Sequence, residues 1–237
     1  PPPHKIKQIL NMISANSIIV KPSVGGESGR GVELYSRLDS GEFALHNNPD
    51  IVLDTNRLNN LGPNFIIQET LQQSSEISTF NPTSVNTLRI ATYRSVKDNE
   101  VHILSSVIRI GNAGSVVDNL HSGGKMVRIN ENGTLANYCS DQYGRRTNRH
   151  NGIDFSIENH IIPNYDKVKA FAREVSSKIL HARLVQLDIM LDQNNQPKLI
   201  EFNINGFSMW IAQFTGTPAL GRFTDEIRDY TISKLNK

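Results

Sequence analysis

One cysteine, Cys139, and one tryptophan, Trp210, are all that the 237 residues hold of either type. A single thiol cannot close an internal disulfide, so stability must come from apolar burial, and a reducing, cytoplasmic setting is the expected home. Charge of one sign is also scarce. The 25 Lys and Arg stand against 23 Asp and Glu, a formal balance of +2. That balance indicates neither a nucleic-acid binder nor a membrane-surface protein, although the isoelectric point near 8.8 leans toward anionic ligands. No apolar run reaches the ~18 residues of a membrane-spanning helix, and no charged-then-apolar leader is present. The Pro1-Pro2-Pro3-His4 opening lacks methionine, as a fragment or processed product would, so a further N-terminal piece is expected. No Ser-His-Asp or Cys-His nucleophile set stands out, and neither a Gly-Lys-Ser/Thr phosphate loop nor a dinucleotide glycine fingerprint is found.

What is present reads as mixed α+β with mainly antiparallel sheet, in a chain long enough to bury a real core. Ile6, Ile9, Leu10 and Ile13 recur at helical spacing. Residues 17–21, 31–36 and 64–68 are short strand runs, and 87–95 with 100–110 form a hairpin around Lys97-Asp98-Asn99. Residues 115–118 and 125–129 are read as further strands. Val168, Phe171, Ala172, Val175 and Ile179 make an amphipathic stripe over 166–180, and a last helix is expected over 223–235.

Residues 184–204 carry the most information. With Asn194-Asn195 as a type I′ turn, Asp188 falls opposite Glu201 and Gln186 opposite Asn203, all on one face. The other face takes Val185, Leu187, Ile189 and Leu191 against Ile200, Phe202 and Ile204, and is expected to be buried. Opposed carboxylates about 5 Å apart repel. A magnesium ion would relieve this, with Asp188, Glu201 and the Asn203 amide oxygen as hard ligands; a solvated polar face with one carboxyl protonated is the alternative.

Directly after the strand ending at Lys21, residues 25–31 hold Gly25, Gly26, Gly29 and Gly31 around Glu27 and Ser28. Such a loop either converges backbone N–H groups on phosphate oxygens, with Lys21 as a point charge, or is simply a flexible tight turn. Arg89 and Arg109 lie within Val- and Ile-rich strands, where an unpaired guanidinium is costly, so each should line a polar cleft or a structural ion pair.

A lysine-ended strand, a glycine loop, an apolar strand ending Gln68-Glu69 and a terminal Asp188 with Glu201-x-Asn203 occur here in the order of the ATP-grasp superfamily. Within it the chain resembles the sugar-transfer-associated family, through Asn81-Pro-Thr-Ser-Val-Asn-Thr-Leu-Arg-Ile90, Arg109-Ile-Gly-Asn-Ala-Gly-Ser-Val-Val-Asp-Asn119 and Ser122-Gly123-Gly124. The resemblance implies an ATP-grasp fold, two lobes of mainly antiparallel sheet with packed helices gripping the nucleotide between them. It divides the chain into a small lobe, 1–70, and a large lobe, 71–237, without the usual domain preceding them.

By the same resemblance Lys21, Gly25, Gly26, Ser28 and Gly29 meet the phosphates. Gln68, Glu69 and Leu71 form the hinge at the adenine, and Glu76 meets the ribose. Arg89, Arg109, Asn119, Gly123 and Gly124, with His121 nearby, would serve phosphate or substrate, and Asp188, Glu201 and Asn203 the metal. The implied cofactors are ATP and one or two magnesium ions, replaceable by manganese. The implied reaction joins a small-molecule or saccharide carboxylate to an amine through an acylphosphate, in the setting of surface polysaccharide synthesis. Phosphotransfer to a hydroxyl, or nucleotide binding without catalysis, would draw on the same nucleotide half of the site. Nothing in the sequence indicates an oligomeric state.

Overall fold

In a computed structural model, residues 3–23, 31–60, 64–115, 118–205 and 207–235 are described. The chain divides into two compact units, Pro1–Gln72 and Gln73–Lys237. The first holds α1 (Pro3–Met12), β1 (Ser17–Pro22), β2 (Glu33–Arg37), β3 (Phe43–Leu45), β4 (Asn48–Val52), α2 (Thr55–Asn60) and β5 (Phe65–Glu69). Its strands form one sheet in the order β4-β3-β2-β1-β5, every described pairing antiparallel. Alternation decides the faces. Ile18, Val20, Tyr35 and Phe43 are buried with Ile6, Leu53 and Leu58. Ile19, Leu34, Ile66 and Gln68 occupy the other face with Lys21, which stands opposite Ile66. Arg37 closes this unit, donating to the carbonyls of Ala15 at 3.2 Å and Gly41 at 2.9 Å and lying 4.3 Å over the Phe43 ring.

The second unit begins with α3 (Ser75–Ser78), β6 (Leu88–Arg94), β7 (Val101–Ile110), β8 (Lys125–Arg128), β9 (Cys139–Ser140) and β10 (Arg146–Thr147). The small hairpin β11 (Arg149–His150) and β12 (Ile153–Asp154) follows, then α4 (Tyr165–Ser177), β13 (Leu184–Leu191), β14 (Pro197–Asn203), α5 (Met209–Phe214) and α6 (Thr224–Leu235). Seven strands make one antiparallel sheet in the order β10-β9-β8-β7-β6-β13-β14. One face carries Leu88, Ile90, Ile108, Ile110, Val127, Val185, Leu187, Ile189 and Leu191, and α4 packs onto it through Val168 and Ala172. The opposite face carries charge and is crossed by α5.

The expected pairing of Asp188 with Glu201 and Gln186 with Asn203 is present, but it is reached by another route. The turn is not type I′. Asp192 N–H bonds the Gln196 carbonyl, leaving three residues in the loop, and only Asn195 has positive φ, at 56°. This displaces the register by one residue, and a bulge at the Asp188/Ile189 step, where Ile200 is the extra residue, restores it. The buried side of β14 is a second correction. Phe202 and Ile204 are 45% and 36% exposed, because β14 is the outermost strand and its apolar side projects past the helical cover. The strand expected over 115–118 is not found at its described ends, since Ser115 and Asp118 lie in loop; positions 116 and 117 fall outside the described residues.

These burial differences predict opposite outcomes for two truncations. Ile108→Ala, in the fully buried middle of the seven-stranded sheet, should cost about 2–5 kcal/mol in urea unfolding, whereas Phe202→Ala should cost well under that. Equal losses would mean that the β14 face is covered in solution.

Candidate active site

A row of directly opposed residues runs across the large sheet: Glu201 on β14, Asp188 on β13, Arg89 on β6, Val107 on β7 and Arg128 on β8. Opposed residues share a face, so register alone gathers both acids and Arg89 on one side. Arg109, two positions along β7 from Val107, joins them.

Asp188 is the centre. Its carboxylate accepts Arg89 Nε at 2.7 Å and Nη2 at 2.6 Å as a fork, and Arg109 Nη1 at 3.1 Å. The side chains of Asp188, Arg89 and Arg109 are 3%, 16% and 15% exposed. Arg109 reaches onward with Nη2 to Asp118 Oδ1 at 2.8 Å, and Asp118 Oδ2 accepts the Thr87 N–H at 3.2 Å and its hydroxyl. Two guanidinia are thus set among three carboxyls, those of Asp118, Asp188 and Glu201.

Burial works against ionising Asp188, but the Arg89 hydrogen bonds and the charges of Arg89 and Arg109 overcome it and hold its pKa below the usual carboxylate value. Desolvation and then the Asp188 charge push Glu201 the other way, above the usual value. The two carboxyls lie within hydrogen-bonding reach, so a proton on Glu201 relieves their repulsion. Arg89 is raised: burial opposes its charge, and the Asp188 contact more than compensates.

The loops around this row are pinned by buried amides. Asn86 donates to the carbonyls of Ile77 and Asn81 at 3.0 Å each, and its N–H meets Gln73 Oε1 at 2.6 Å. Asn81 donates to the Asn112 carbonyl at 3.2 Å. Asn151 bonds the carbonyls of Phe80 and Gly111 at 2.9 Å each and accepts Ala113 N–H at 3.0 Å. Asn119 Oδ1 accepts His121 N–H at 2.9 Å, opening a short 3-10 turn that Gly123 closes at φ 89°. At Gly124 a Cβ would fall 2.8 Å from the Asn119 carbonyl oxygen, so no side chain fits there.

The remaining candidates are distributed between the units. Lys21, Gln68 and Glu69 lie on β1 and β5 of the first unit, with Leu71 just after them and 44% exposed. Gly25, Gly26, Ser28 and Gly29 lie outside the described residues. Glu76 opens α3. Its carboxylate accepts the Ser74 and Ser75 hydroxyls at 2.8 and 2.9 Å and the Asn195 amide at 3.1 Å, and with its own backbone N–H these lower its pKa to about 2. The tip of the β13–β14 hairpin is thereby tied to α3. The roles of Asp118 and Thr87 as anchors for Arg109 were not read from the sequence. The available signal was parity, since Thr87 and Arg89 stand two apart at the start of one strand run.

Two antiparallel sheets with packed helices, the larger bearing paired acids among arginines, are the architecture of the ATP-grasp class. Residues 2–228 match the sugar-transfer associated ATP-grasp family, and the chain belongs to it, as the motif order implied. Among solved structures it is similar to D-alanyl-alanine synthetase A from Vibrio cholerae O1 biovar eltor strain N16961, with TM-score 0.49 and 14% identity over 99% of this chain and 56% of that one. It is also similar to the ATP-grasp ligase PsnB complexed with precursor peptide PsnA2 and AMPPNP, with TM-score 0.48 and 12% identity over 100% and 52%. A third is N5-carboxyaminoimidazole synthetase from Staphylococcus aureus complexed with ADP, with TM-score 0.46 and 14% identity over 91% and 44%. The chain spans about half the length of these chains. No curated protein matches it.

The opposite shifts of the two acids predict opposite effects on stability. Asp188→Asn takes the carboxylate partner from the half-buried Arg89 and one of two from Arg109, and should cost about 3–5 kcal/mol. For Asp188 the unfolded chain binds the proton more tightly, so its contribution is present above the ordinary carboxylate pKa and is lost as pH falls through the lowered one. For Glu201 the folded state binds the proton more tightly, so stability declines as pH rises from the ordinary value through the raised one. Glu201→Gln should therefore leave stability at pH 7 unchanged or higher. Urea unfolding of both variants at pH 7 checks this, and a large loss in Glu201→Gln would contradict the assignment.

Proposed function

We propose that this chain is an ATP- and magnesium-dependent carboxylate–amine ligase that works through an acylphosphate, in the synthesis or modification of surface polysaccharide. The observation that carries the reading is the Glu201–Asp188–Arg89 row with Arg109 beside it. Paired acids and buried guanidinia are what phosphoryl transfer to a carboxylate needs, because catalysis there is mostly positioning and charge stabilisation. Family membership supports the nucleotide, and the polysaccharide setting rests on the family's description alone.

The donor chemistry of the acidic row fits magnesium. Asp188 accepts three N–H groups, leaving about one of its roughly four lone-pair positions, while Glu201 and Asn203 add oxygen atoms on the same face. Asp188, Glu201 and Asn203 would hold the ion, which when bound neutralises charge on the phosphate oxygens. The proposed division is a small lobe over 1–70 and a large lobe over 71–237, each supplying part of the nucleotide's contacts.

The side chains then take separate tasks. Lys21 and the loop at 25–29 bind phosphates, while Gln68, Glu69 and Leu71 meet the adenine through their backbone. The sheet face around Ile19, Leu34 and Ile66 gives the base an apolar surface. Arg89, fixed by Asp188, keeps its charge beside the transferred group. Arg109, held from both ends by Asp118 and Asp188, orients the substrate carboxylate or the terminal phosphate. The turn at Asn119, Gly123 and Gly124 offers N–H groups to the same oxygens. Glu76, whose carboxylate holds three side-chain donors, has about one lone-pair position left for the ribose hydroxyls. Among the described residues no helix is long and apolar enough to cross a membrane. A cytoplasmic setting, in which ATP is available, is part of the proposal.

The test is capture of the activated acid. With ATP, magnesium, a candidate uronic or amino acid and hydroxylamine, the chain should yield a hydroxamate. Glu201→Gln should reduce this at least about a hundredfold, in the range that follows loss of a charge-stabilising group, while the variant stays folded. A stable phosphorylated product that ignores hydroxylamine would replace ligation with phosphotransfer, and undiminished turnover by Glu201→Gln would remove the metal assignment.

A further inference from the structure

A second charged cluster on the large unit is not used by this reading. Helix α5 crosses the sheet face, resting on Val107 and Met126 through Ile211. Its start is tied to β13 by Ser208 N–H donating to Gln186 Oε1 at 3.2 Å. Its end is held beyond β8, where the Ser140 hydroxyl donates to the Phe214 carbonyl and the Tyr138 hydroxyl to the Thr215 carbonyl, each at 2.9 Å. Arg128 Nη1 donates to the Gly216 carbonyl at 3.2 Å, and its Nε meets Asn130 Oδ1 at 3.2 Å.

At this end two arginines converge. Gly216 is exposed, with φ 78°, and the position its Cβ would take lies 3.6 Å from Arg128 Nη1, 3.7 Å from Arg146 Nη2 and 2.6 Å from the Tyr138 hydroxyl oxygen. The two guanidinia therefore sit within about 7 Å of each other, a separation at which like charges still repel. Neither takes part in an ion pair among the described residues, although Arg57, Arg89, Arg109, Arg149 and Arg228 all do. Arg146 lies 4.6 Å over the Tyr138 ring, a stacking that limits the motion of its guanidinium.

A helix C-terminus ordinarily repels anions. Here the last carbonyls of α5 already accept from Ser140, Tyr138 and Arg128, so the negative end is answered from within. Absence of a side chain at Gly216 keeps the space between the guanidinia open.

We propose that Arg128 and Arg146, beside the side-chain-free Gly216 and with Tyr138 stacked under Arg146, form a binding site for an oxyanion, the phosphate, sulfate or carboxylate group of a ligand, separated from the acidic row by α5. One Nη of each arginine lies within 4 Å of the same point, and guanidinium N–H groups are the donors by which arginines hold such anions. The site rests on its own contacts and needs no ATP chemistry to be tested.

The experiment is a titration of the whole chain with inorganic phosphate, and separately with sulfate and acetate, at constant ionic strength in chloride. The arginine Nε–H signals of Arg128 and Arg146 are followed by NMR. Both should shift saturably together. Arg146→Gln should weaken the response of Arg128 at least about tenfold, and Gly216→Ala, which fills the space, should do the same. Tighter binding of phosphate and sulfate than acetate assigns a tetrahedral anion, and the reverse assigns a carboxylate. A response that is linear, matched by chloride or undiminished in Arg146→Gln overturns the site, because anion held by Lys21, Arg89 or Arg109 would survive that change.

Discussion

The buried carboxylate of Asp188 is the constraint on which the functional face depends. An ion 3% exposed within a seven-stranded sheet is sustained only by close opposite charge, and Arg89 and Arg109 provide it from the next two strands. This requires β13, β6 and β7 to keep their mutual register, since a slip of one residue would turn each side chain to the apolar face. The ion pair therefore fixes the strand alignment as much as the alignment fixes the ion pair. Glu201 bears the consequence. It has been placed where a second negative charge is unwelcome, which makes it the group that takes up a proton.

The two faces of the large sheet are specialised by this arrangement. Under α4 the surface is continuous hydrocarbon, from Leu88 and Ile90 through Ile108 to Leu187 and Ile189. On the other side α5 covers only Val107 and Met126, the apolar residues between two charged groups of opposite character. The helix is six residues long and would not persist alone. It is held by side chains of the sheet at both ends, Gln186 at the start and Tyr138 and Ser140 at the finish. Its position thus couples the strand that carries Asp188 to the strands that carry Arg128 and Arg146.

The legible and illegible parts of the sequence follow from distance along the chain. The pairing of Asp188 with Glu201 was readable because the two lie only 13 positions apart in one hairpin. It was right for a partly mistaken reason, since the assumed two-residue turn is a three-residue loop and the bulge at Ile200 cancels the difference. Bulges leave little local signal, so the agreement reflects compensation rather than turn chemistry. The exposed side of β14 was misread because alternation tells which residues share a face, not whether a helix extends far enough to cover it. Asn81, Asn86 and Asn151 could not be recognised as loop pins, because the carbonyls they reach belong to segments as far as 71 residues away. The family motifs did contain Asn81 and Asn86, so the resemblance carried information that periodicity lacked.

The same reasoning separates motifs held in a short window of the chain from points assembled across it. Phosphates and hard cations demand charged or hydrogen-bonding groups at fixed strand positions, and a hairpin or a strand end supplies those within a short window. A point of contact can also be assembled from segments with no local relation. Arg128 on β8, Tyr138 before β9, Arg146 on β10 and Gly216 after α5 span 88 residues and meet at one point. None of the four would be singled out alone. Arg128 reads as an ordinary half-buried strand residue, Tyr138 as a core aromatic and Gly216 as a helix terminator. Only when the sheet order places β8, β9 and β10 side by side do two unpaired guanidinia face the same open volume, and a charge argument like the one applied to Asp188 and Glu201 then operates with the signs reversed.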